Sequence, residues 1–431
     1  GLTMARKMKD SGIEWIGEIP EGWEIKRLGA ILQERNEVNN PIQTTSILSL
    51  TNNRGVIPYS EKGNQGNKAK DDLTGYKIAH IGDIVLNSMN VIIGSVGLSN
   101  YYGAVSPVYY MLFPRNNIET NIQYYNYLFQ TTAFQQSLRG YGNGILEIRM
   151  RIQMQKLKTV LLPVPTFLEQ SNITVYLDAS LSKLNILLSK IRSSIEEYKK
   201  LKQAVITQAV TKGVRGEREM KDSGVGWIGA IPKDWEIKRL KSFCTIVDCK
   251  NRTPDVFPDG KYTVVRTTCI KDCSFSYEGS YQTDTTNFKA WTLKGQPHKG
   301  DIFFTREAPV GEACLVPNAD NLCMGQRVMF FRPEDNSDAR YIMYSIYGPL
   351  VREYIASKNS GSTVGHLKLG QVACIPIFYC PPLEQKEIAD YLDAKCAEIA
   401  GLIAKKEQLV KELENYKKSL IYEVVTGKRE V

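Results

Sequence analysis

The sequence predicts a mixed α/β (α+β) protein in which two globular domains are separated by an antiparallel two-helix coiled coil, arranged as a pseudo-twofold tandem repeat. Three observations lead to this prediction. Residues 8–28 return 212 residues later as 220–240, with 16 of 21 residues identical. The string Leu168-Glu169-Gln170 returns 215 residues on as Leu383-Glu384-Gln385. Both tails carry the apolar spacing of long helices.

Length and composition limit the class of protein. The chain has 431 residues, of which 42% are hydrophobic, so at least two domains are expected. The sequence contains no run of about eighteen apolar residues and no secretory leader, so we expect a cytoplasmic protein. The net charge of +9 is compatible with a polyanionic partner.

The repeated segment opens each half of the chain. Its two copies carry tryptophans at matching positions, Trp15 with Trp227 and Trp23 with Trp235. Large aromatic side chains that recur in a shared string favour a packing role. We therefore predict that these tryptophans anchor each domain against the helices.

A variable body of short strands follows each repeated segment. Apolar runs bounded by turns predict strands, and both bodies share the plan because Gly82-Asp83-Ile84 matches Gly300-Asp301-Ile302. The residues that follow these strands differ between the halves. The predicted strands are 46–50, 83–86, 94–98 and 109–113 in the first body and 262–270, 301–304, 313–316 and 328–331 in the second, with helical stretches at 121–138 and 339–356.

Each body is followed by a predicted long helix. Apolar residues alternate in steps of four and three, the heptad rule of a coiled coil, so the helices should pair and act as a spacer of roughly 60 Å. An antiparallel pair would let the segment from Met8 pack against the end of the second helix. The helix-pair seam comprises Leu177, Leu181, Leu184, Leu188, Ile191, Ile195, Leu392, Ile399, Ile403, Val410, Leu413 and Leu420.

Several strings together resemble the specificity subunit of type I restriction-modification enzymes. These are Ser-Gly-x-x-Trp-Ile-Gly-x-Ile-Pro-x-x-Trp from Ser11 and again from Ser223, Leu-Glu-Gln at 168 and 383, and the ending Leu420 to Lys428. The resemblance covers nearly the whole chain. It implies target recognition domains at 1–166 and 214–381 and conserved spacer helices at 167–213 and 382–431.

The resemblance also implies a function and partners. It implies a non-catalytic subunit that binds a bipartite, asymmetric site in double-stranded DNA. The subunit would direct two adenine-methyltransferase subunits and two motor-nuclease subunits to that site. S-adenosylmethionine, ATP and Mg would be bound by those partners, and no cofactor is expected on this chain.

Unlike polar side chains on matched strands predict two DNA-reading surfaces with different preferences. Asn and Gln can bind adenine, Arg can bind guanine, and other basic residues can hold phosphates. For the arginines, the alternative is that they form ion pairs with local carboxylates. For the Ser/Gly-rich loop from Lys358 to Lys368, the alternative is that it is a solvated surface loop. The candidate DNA-binding residues are Asn52, Asn53, Arg54, Asn87, Ser88, Asn90, Arg139, Tyr141, Asn143, Arg266, Thr267, Thr268, Thr305, Arg306, Gln326, Arg327, Lys358, Ser362, Thr363, His366 and Lys368.

Two other classes of function stay open at this point. A two-headed protein adaptor without DNA binding would share the architecture, and a cryptic methyltransferase or nuclease is the third class. The sequence disfavours an enzyme because the Asp/Asn-Pro-Pro-aromatic loop and the ATP-binding Gly-x-x-x-x-Gly-Lys motif are missing. The nine cysteines indicate reduced buried thiols, and a zinc site using His298 or His366 is the alternative.

Overall fold

The computed structural model describes residues 6–52, 54–63, 69–143, 151–359 and 365–431. The chain divides into two compact units, the first made of Gly1–Ile191 and Gln408–Val431, and the second of Arg192–Glu407. Each unit contains one body and part of both long helices. No helix in the described ranges is both long enough and apolar enough to cross a membrane.

The body of the first unit consists of short strands and short helices. In chain order these are β1 (Met8–Asp10), β2 (Glu18–Pro20), β3 (Glu24–Arg27), α1 (Leu28–Ile31), β4 (Leu32–Arg35), β5 (Leu48–Thr51), β6 (Gly55–Pro58), β7 (Lys77–Ala79), β8 (Ile84–Asn87), β9 (Val96–Leu98), β10 (Gly103–Val105), β11 (Tyr109–Pro114), α2 (Ile122–Phe129), α3 (Thr132–Ser137), β12 (Gly142–Asn143), β13 (Arg151–Ile152), α4 (Met154–Leu157) and β14 (Leu161–Val164).

A four-stranded antiparallel sheet in the order β4-β11-β8-β9 forms the centre of the first body. Helix α2 begins after Asn121, whose side chain accepts a hydrogen bond from the backbone N–H of Gln123 and so caps the helix. Aromatic residues of α2 and α3 fill the core, with the rings of Phe129 and Phe134 stacked 4.5 Å apart. These two helices occupy the stretch predicted to be helical.

The second unit repeats this plan between the two long helices. In chain order its elements are α5 (Phe167–Lys212), which continues from the first unit, β15 (Met220–Asp222), β16 (Ala230–Pro232), β17 (Glu236–Arg239), β18 (Cys244–Val247), β19 (Tyr262–Val265), β20 (Ile270–Lys271), β21 (Ser274–Phe275), β22 (Tyr281–Thr283), α6 (Thr285–Trp291), β23 (Ile302–Thr305), β24 (Ala313–Leu315), β25 (Leu322–Met324), β26 (Val328–Pro333), α7 (Ala339–Ile346), α8 (Pro349–Asn359), α9 (Leu369–Ala373), β27 (Pro376–Tyr379) and α10 (Pro382–Val425).

The central sheets of the two units have matching strand orders. The second sheet runs β18-β26-β23-β24, which is the first order element for element. Beside it the second unit contains a three-stranded sheet β22-β19-β25, and the first unit contains the two-stranded sheets β5-β6 and β7-β10. Asp83 and Asp301 precede matched strands, and the carboxylate of each forms an ion pair with an arginine. Arg35 Nε lies 2.9 Å from Asp83, and Arg332 Nη2 lies 2.7 Å from Asp301. The shared strand plan predicted from Gly82 and Gly300 is confirmed.

The two long helices pair in antiparallel fashion within each unit. In the first unit Lys417 Nζ donates to Asn185 Oδ1 at 2.8 Å, and Val424 lines the same cavity as Ile173. In the second unit the Lys406 ammonium lies 5.5 Å from the ring centroid of Tyr198, and Glu384 lies beside Gly213, directly after α5. Within each unit residue numbers fall along one helix as they rise along the other, which confirms the predicted direction. Of the seam positions, Leu177, Leu181, Leu188, Ile191, Ile195, Leu392, Ile399 and Leu420 are buried, and Leu184, Ile403, Val410 and Leu413 are half-buried.

The first repeated segment packs against the end of α10, as predicted for the segment that starts at Met8. Lys428 Nζ donates to the carbonyl of Ile16 at 2.7 Å, and the Tyr422 hydroxyl donates to the carbonyl of Trp15 at 3.0 Å. In the second unit Lys212, at the end of α5, makes the corresponding contact with the carbonyl of Ile228. The repeat and the helix end therefore form one packing unit in each half.

The anchoring role predicted for the four tryptophans is wrong for one of them. Trp23 and Trp235 are buried, and Trp15 packs edge-on against Phe134 with ring centroids 5.8 Å apart. Trp227 is 53% exposed. Among the described residues, no ring pairs with Trp227 as Phe134 does with Trp15.

Candidate nucleic-acid interface

Strands β8 and β23 are equivalent in the two units, and their last residues occupy equivalent positions in the central sheets. Their register against β11 and β26 makes Asn87 equivalent to Thr305, so the next residues, Ser88 and Arg306, are also equivalent. The backbone N–H of Ser88 donates to the carbonyl of Val108 at 3.4 Å, and that of Arg306 donates to Arg327 at 3.0 Å. Ser88 and Arg306 thus occupy equivalent backbone positions in the two units.

In both units a third segment of the chain forms a hydrogen bond with the residue at this position. The backbone N–H of Ile152 donates to the carbonyl of Ser88 at 3.0 Å, and that of Leu367 donates to the carbonyl of Arg306 at 3.0 Å. The preceding residues are therefore equivalent as well. The five matched positions, here called the strand-end surface, are Asn36, Ser88, Met89, Val108 and Arg151 in the first unit and Asp248, Arg306, Glu307, Arg327 and His366 in the second.

In the second unit the strand-end surface is a continuous network of charged groups. Arg306 Nη1 lies 2.8 Å from Asp248 Oδ1, and its Nη2 lies 3.3 Å from His366 Nε2. His366 Nδ1 lies 2.5 Å from Glu307 Oε1, and Arg327 Nε lies 2.9 Å from Glu307 Oε2. With the ring proton on Nδ1 donated to Glu307, Nε2 accepts a hydrogen bond from Arg306.

The two arginines of this network differ in access to solvent. The Arg306 side chain is 12% exposed, and its Nε is buried without a hydrogen-bond partner among the described residues. The Arg327 side chain is 48% exposed. Arg327 has a backbone φ of 77°, in the left-handed region, which sets it on a sharp turn just before β26. Arg327 therefore faces solvent, whereas Arg306 lies beneath.

In the first unit the same surface is nearly uncharged. The Ser88 hydroxyl is buried and donates to the carbonyl of Val108 at 2.8 Å, and buried Asn87 accepts from the backbone of Met89 at 3.0 Å. Arg151 is exposed and is the charged member of the five positions. The predicted set of candidate residues did not include Arg151. Equivalent backbone positions thus carry unlike side chains.

The other candidates of the first unit lie outside the strand-end surface. Asn52, Asn90 and Arg139 are exposed and Tyr141 is half-buried. Arg54 is exposed and forms an ion pair with Glu61 at 2.5 Å, so it matches the alternative of a local carboxylate. Asn143 is in strand β12, opposite Arg151, and Asn53 lies outside the described residues.

Several candidates of the second unit are at its surface. Arg266, Thr268, Lys358 and Lys368 are exposed, and Thr267 and Gln326 are half-buried. Arg266 Nη1 donates to the carbonyl of Gly279 at 3.5 Å. Ser362 and Thr363 lie outside the described residues.

The side chains of Ser88 and Thr305 are buried, whereas the predicted role would need them exposed to solvent. Thr305 is fully buried, its hydroxyl donates to the carbonyl of Pro309 at 2.5 Å, and it accepts from the N–H of Glu312 at 2.9 Å. Buried hydroxyls are satisfied by the nearest backbone groups. These two side chains hold the strand end in place.

A basic loop that was not among the predicted candidates follows Asp248 along the chain. The Lys250 ammonium and the Arg252 guanidinium lie 4.8 and 5.2 Å from the ring centroid of Trp291. The indole of Trp291 donates to the carbonyl of Arg252 at 3.0 Å. The alternation of Asp248, Lys250 and Arg252 directly after a strand was the sequence signal for this basic loop.

The thiols and histidines supply no metal site in the described part of the chain. No group of three or more His, Cys, Asp or Glu side chains there is arranged to hold a metal ion. The nine cysteines are free, and seven are buried. Burial raises the pKa of Cys273 and Cys380 to about 12, so these thiols are protonated at neutral pH.

The fold and the strand-end surface define a class: a tandem repeat of one α/β scaffold with unlike polar surfaces and a shared antiparallel helix pair. The chain belongs to the family whose model is described as type I restriction modification DNA specificity domain, which matches residues 20–197 and 232–412. It is thus a specificity subunit of a type I restriction-modification system. The specificity subunits of this family are not catalytic.

Two relatives agree with this membership. The chain is 26% identical over 430 residues to a putative type I restriction enzyme MjaX specificity subunit from Methanocaldococcus jannaschii, covering 96% of this chain and 95% of the relative. It is 23% identical over 433 residues to the MjaVIII specificity subunit of the same organism, covering 95% and 93%.

Two solved structures share the fold. A chain from a study of complex assembly and conformational transition of the type I R-M system has a TM-score of 0.71 at 15% identity, covering 95% of this chain and 99% of that one. The HsdS subunit from Thermoanaerobacter tengcongensis has a TM-score of 0.50 at 15% identity, covering 95% and 98%.

Proposed function

We propose that this chain reads a bipartite, asymmetric site in double-stranded DNA and directs the other subunits of a type I restriction-modification complex to it. In this proposal residues 1–166 and 214–381 are target recognition domains, and residues 167–213 and 382–431 are spacer helices. Each domain reads one half of the site. The two halves differ because the two domains carry different side chains on the same scaffold.

One observation carries the proposal. The central sheets have one strand order, and the strand ends make equivalent backbone hydrogen bonds, yet the five positions of the strand-end surface match in no residue. A scaffold that is kept while its polar surface varies suits two readers with different base preferences. An asymmetric target follows, because the two half-sites would be bound by unlike groups.

The partners and cofactors follow from the role. Two adenine-methyltransferase subunits and two motor-nuclease subunits would supply the chemistry. S-adenosylmethionine, ATP and Mg would bind to those partners, and the chain itself would hold the DNA. A role of this kind on DNA implies a cytoplasmic location.

Binding to random duplex DNA across a salt series tests whether the chain contacts DNA. Each phosphate that is neutralised adds about 0.9 to the slope of log affinity against log salt. We expect a slope of several units, because exposed basic residues are available to phosphates in both units, among them Arg139, Arg151, Arg327, Lys358 and Lys368. A flat response would overturn the proposal and favour a protein adaptor.

Sequencing of methylated sites in a host that carries this chain with its partner subunits tests the bipartite target. We expect a single motif of two unlike halves separated by a fixed gap. A matched control is a chain in which residues 214–381 are replaced by the corresponding domain of a relative, which should change one half of the motif only. A motif that is unchanged by this exchange would contradict the division into two readers.

A further inference from the structure

We propose that Arg327 is the residue of the second unit that contacts a guanine, and that Glu307, His366, Arg306 and Asp248 are positioning residues that aim its guanidinium. This inference rests on the proposed function and deepens it.

Access and pairing separate the two arginines. Both terminal nitrogens of Arg306 are engaged, one with Asp248 and one with His366, and its side chain is 12% exposed. Arg327 is paired through Nε to Glu307, and the described residues supply no hydrogen-bond partner for its two terminal nitrogens. Arg327 therefore has a donor pair available for a ligand, whereas Arg306 does not.

The chemistry of that donor pair fits guanine. Two parallel N–H groups of an arginine match the O6 and N7 acceptors of guanine in the major groove, which is the commonest specific contact between proteins and DNA. An arginine whose Nε is already held by a carboxylate loses less side-chain freedom on binding than a free one. The ion pair with Glu307 therefore prepares Arg327 for contact.

The remaining residues fix Glu307 in turn. His366 Nδ1 holds Glu307 Oε1 at 2.5 Å, which leaves Oε2 for Arg327 at 2.9 Å. Arg306 donates to Nε2 of the same imidazole, and Asp248 holds Arg306. Each side chain in this hydrogen-bonded network orients its neighbour. A substitution of His366 would therefore alter the position of Arg327 through Glu307.

The first unit shows that the scaffold does not require this network. Ser88 makes the same backbone hydrogen bonds as Arg306, and Asn36, Met89 and Val108 replace three of the charged residues. The fold of the strand end is thus maintained without an ion-pair chain. A network that the scaffold can do without, and that ends at an exposed donor pair, points to a ligand.

The test measures base preference with the complete complex and duplexes in which each base pair of the wild-type motif is varied in turn. For Arg327→Ala we expect roughly 10- to 100-fold weaker binding to the wild-type motif. The preference for guanine should disappear at one position of one half-site, with all other positions unchanged. Arg327→Lys should recover more of the affinity than of the guanine preference, since an ammonium keeps the charge but lacks the rigid planar fork that matches O6 and N7.

The positioning residues are tested by the guanine preference and by the salt slope of binding. Glu307→Gln and His366→Gln should weaken the guanine preference at the same position while leaving the salt slope unchanged. The control is Arg332→Ala, which removes another ion-paired arginine of the same sheet, paired with Asp301 at the opposite end of β23. It should leave every base preference as in the wild type.

The outcomes separate the inference from the proposed function. If the wild-type complex has a bipartite motif and Arg327→Ala changes no single position, or all positions alike, the inference is overturned and the proposed function stands. If the wild-type complex shows neither a motif nor a salt dependence, the proposed function itself fails. Loss of one position in Arg306→Ala together with an unchanged Arg327→Ala would assign the contact to Arg306 instead.

Discussion

The indole Nε1 of Trp23 donates a hydrogen bond to Oε1 of Glu169 at 3.2 Å, which ties the first repeated segment to the first turn of α5. The corresponding pair in the second unit, Trp235 and Glu384, is arranged differently. Glu384 is fully buried and forms an ion pair with Arg218, as Glu169 does with the equivalent Arg6, but the indole nitrogen of Trp235 is buried without a partner among the described residues. The ion pair is therefore common to both units, whereas the hydrogen bond from tryptophan to glutamate is found in the first and not among the described residues of the second.

This difference predicts unequal costs of the same substitution. Glu384→Gln removes the fully buried negative charge that pairs with Arg218. We therefore expect the free energy of unfolding to fall by about 2–4 kcal/mol. Glu169→Gln should cost only about 1 kcal/mol, because the ion pair of Glu169 with Arg6 is screened at 31% exposure of the Glu169 side chain, and an amide oxygen can still accept from Trp23. Denaturant unfolding followed by tryptophan fluorescence measures both. Equal losses would contradict the assigned geometry.

The close approach at Gly427 predicts a position where alanine is not tolerated. Gly427 has a φ of 72°, and a methyl group there would overlap Cδ of Pro20 and lie 3.0 Å from the Trp23 ring. We expect Gly427→Ala to lower the free energy of unfolding by about 2–4 kcal/mol, from backbone strain and overpacking together.

Gly224→Ala is the matched control for this prediction. Gly224 has nearly the same φ, 73°, and no atom lies within 4 Å of the place where its methyl group would stand. Strain alone should therefore cost about 1 kcal/mol. If both variants lose the same stability in denaturant unfolding, the contact between the helix end and the repeated segment contributes nothing.

Arg151 gives a prediction for the first unit, which depends on the proposed function. It is exposed and occupies the position that His366 holds in the second unit. We expect Arg151→Ala to relax discrimination at one base pair, by roughly 10-fold, in the half-site that Arg327 does not govern. Competition binding with single-position variants of the motif measures this. A uniform loss with a salt slope smaller by about one unit would make Arg151 a phosphate contact instead.

The buried thiols predict a loss of stability in alkali. Burial raises the pKa of Cys244, Cys273, Cys323 and Cys380 from 9.0 to about 12. The folded state then binds more protons than the unfolded state, so this contribution is complete below about pH 9 and is lost as the pH rises towards 12. Each thiol should lower the free energy of unfolding by about 1.4 kcal/mol per pH unit in that window.

Urea unfolding under reducing conditions at several pH values checks the sign and the size of this effect. Buried tyrosines act in the same direction, so the comparison is with a variant in which all four cysteines are alanine. The slope of stability against pH above pH 9 should be smaller in that variant. An identical slope would show that the thiols do not ionise on unfolding.

The repeated arrangement of the fold could be predicted from the sequence because it depends on local patterns. The string at Trp23 recurs at Trp235, and the four-and-three spacing through Leu177 and Leu392 defines one face of each long helix. Strand periodicity likewise located β8 and β23. Such patterns are short in range, so each of them is visible without knowing what packs against it.

The strand-end network was decided only by the tertiary structure. Asp248, Glu307, Arg327 and His366 are far apart in the chain, and register between strands brings them together. The same packing buried Arg306, which the strand pattern alone had suggested as a reader of bases. The sequence by itself determined two scaffolds of one kind and the helices they share, because apolar periodicity and repetition are local. Which arginine is exposed was determined by ion pairs between distant segments, which no local pattern encodes.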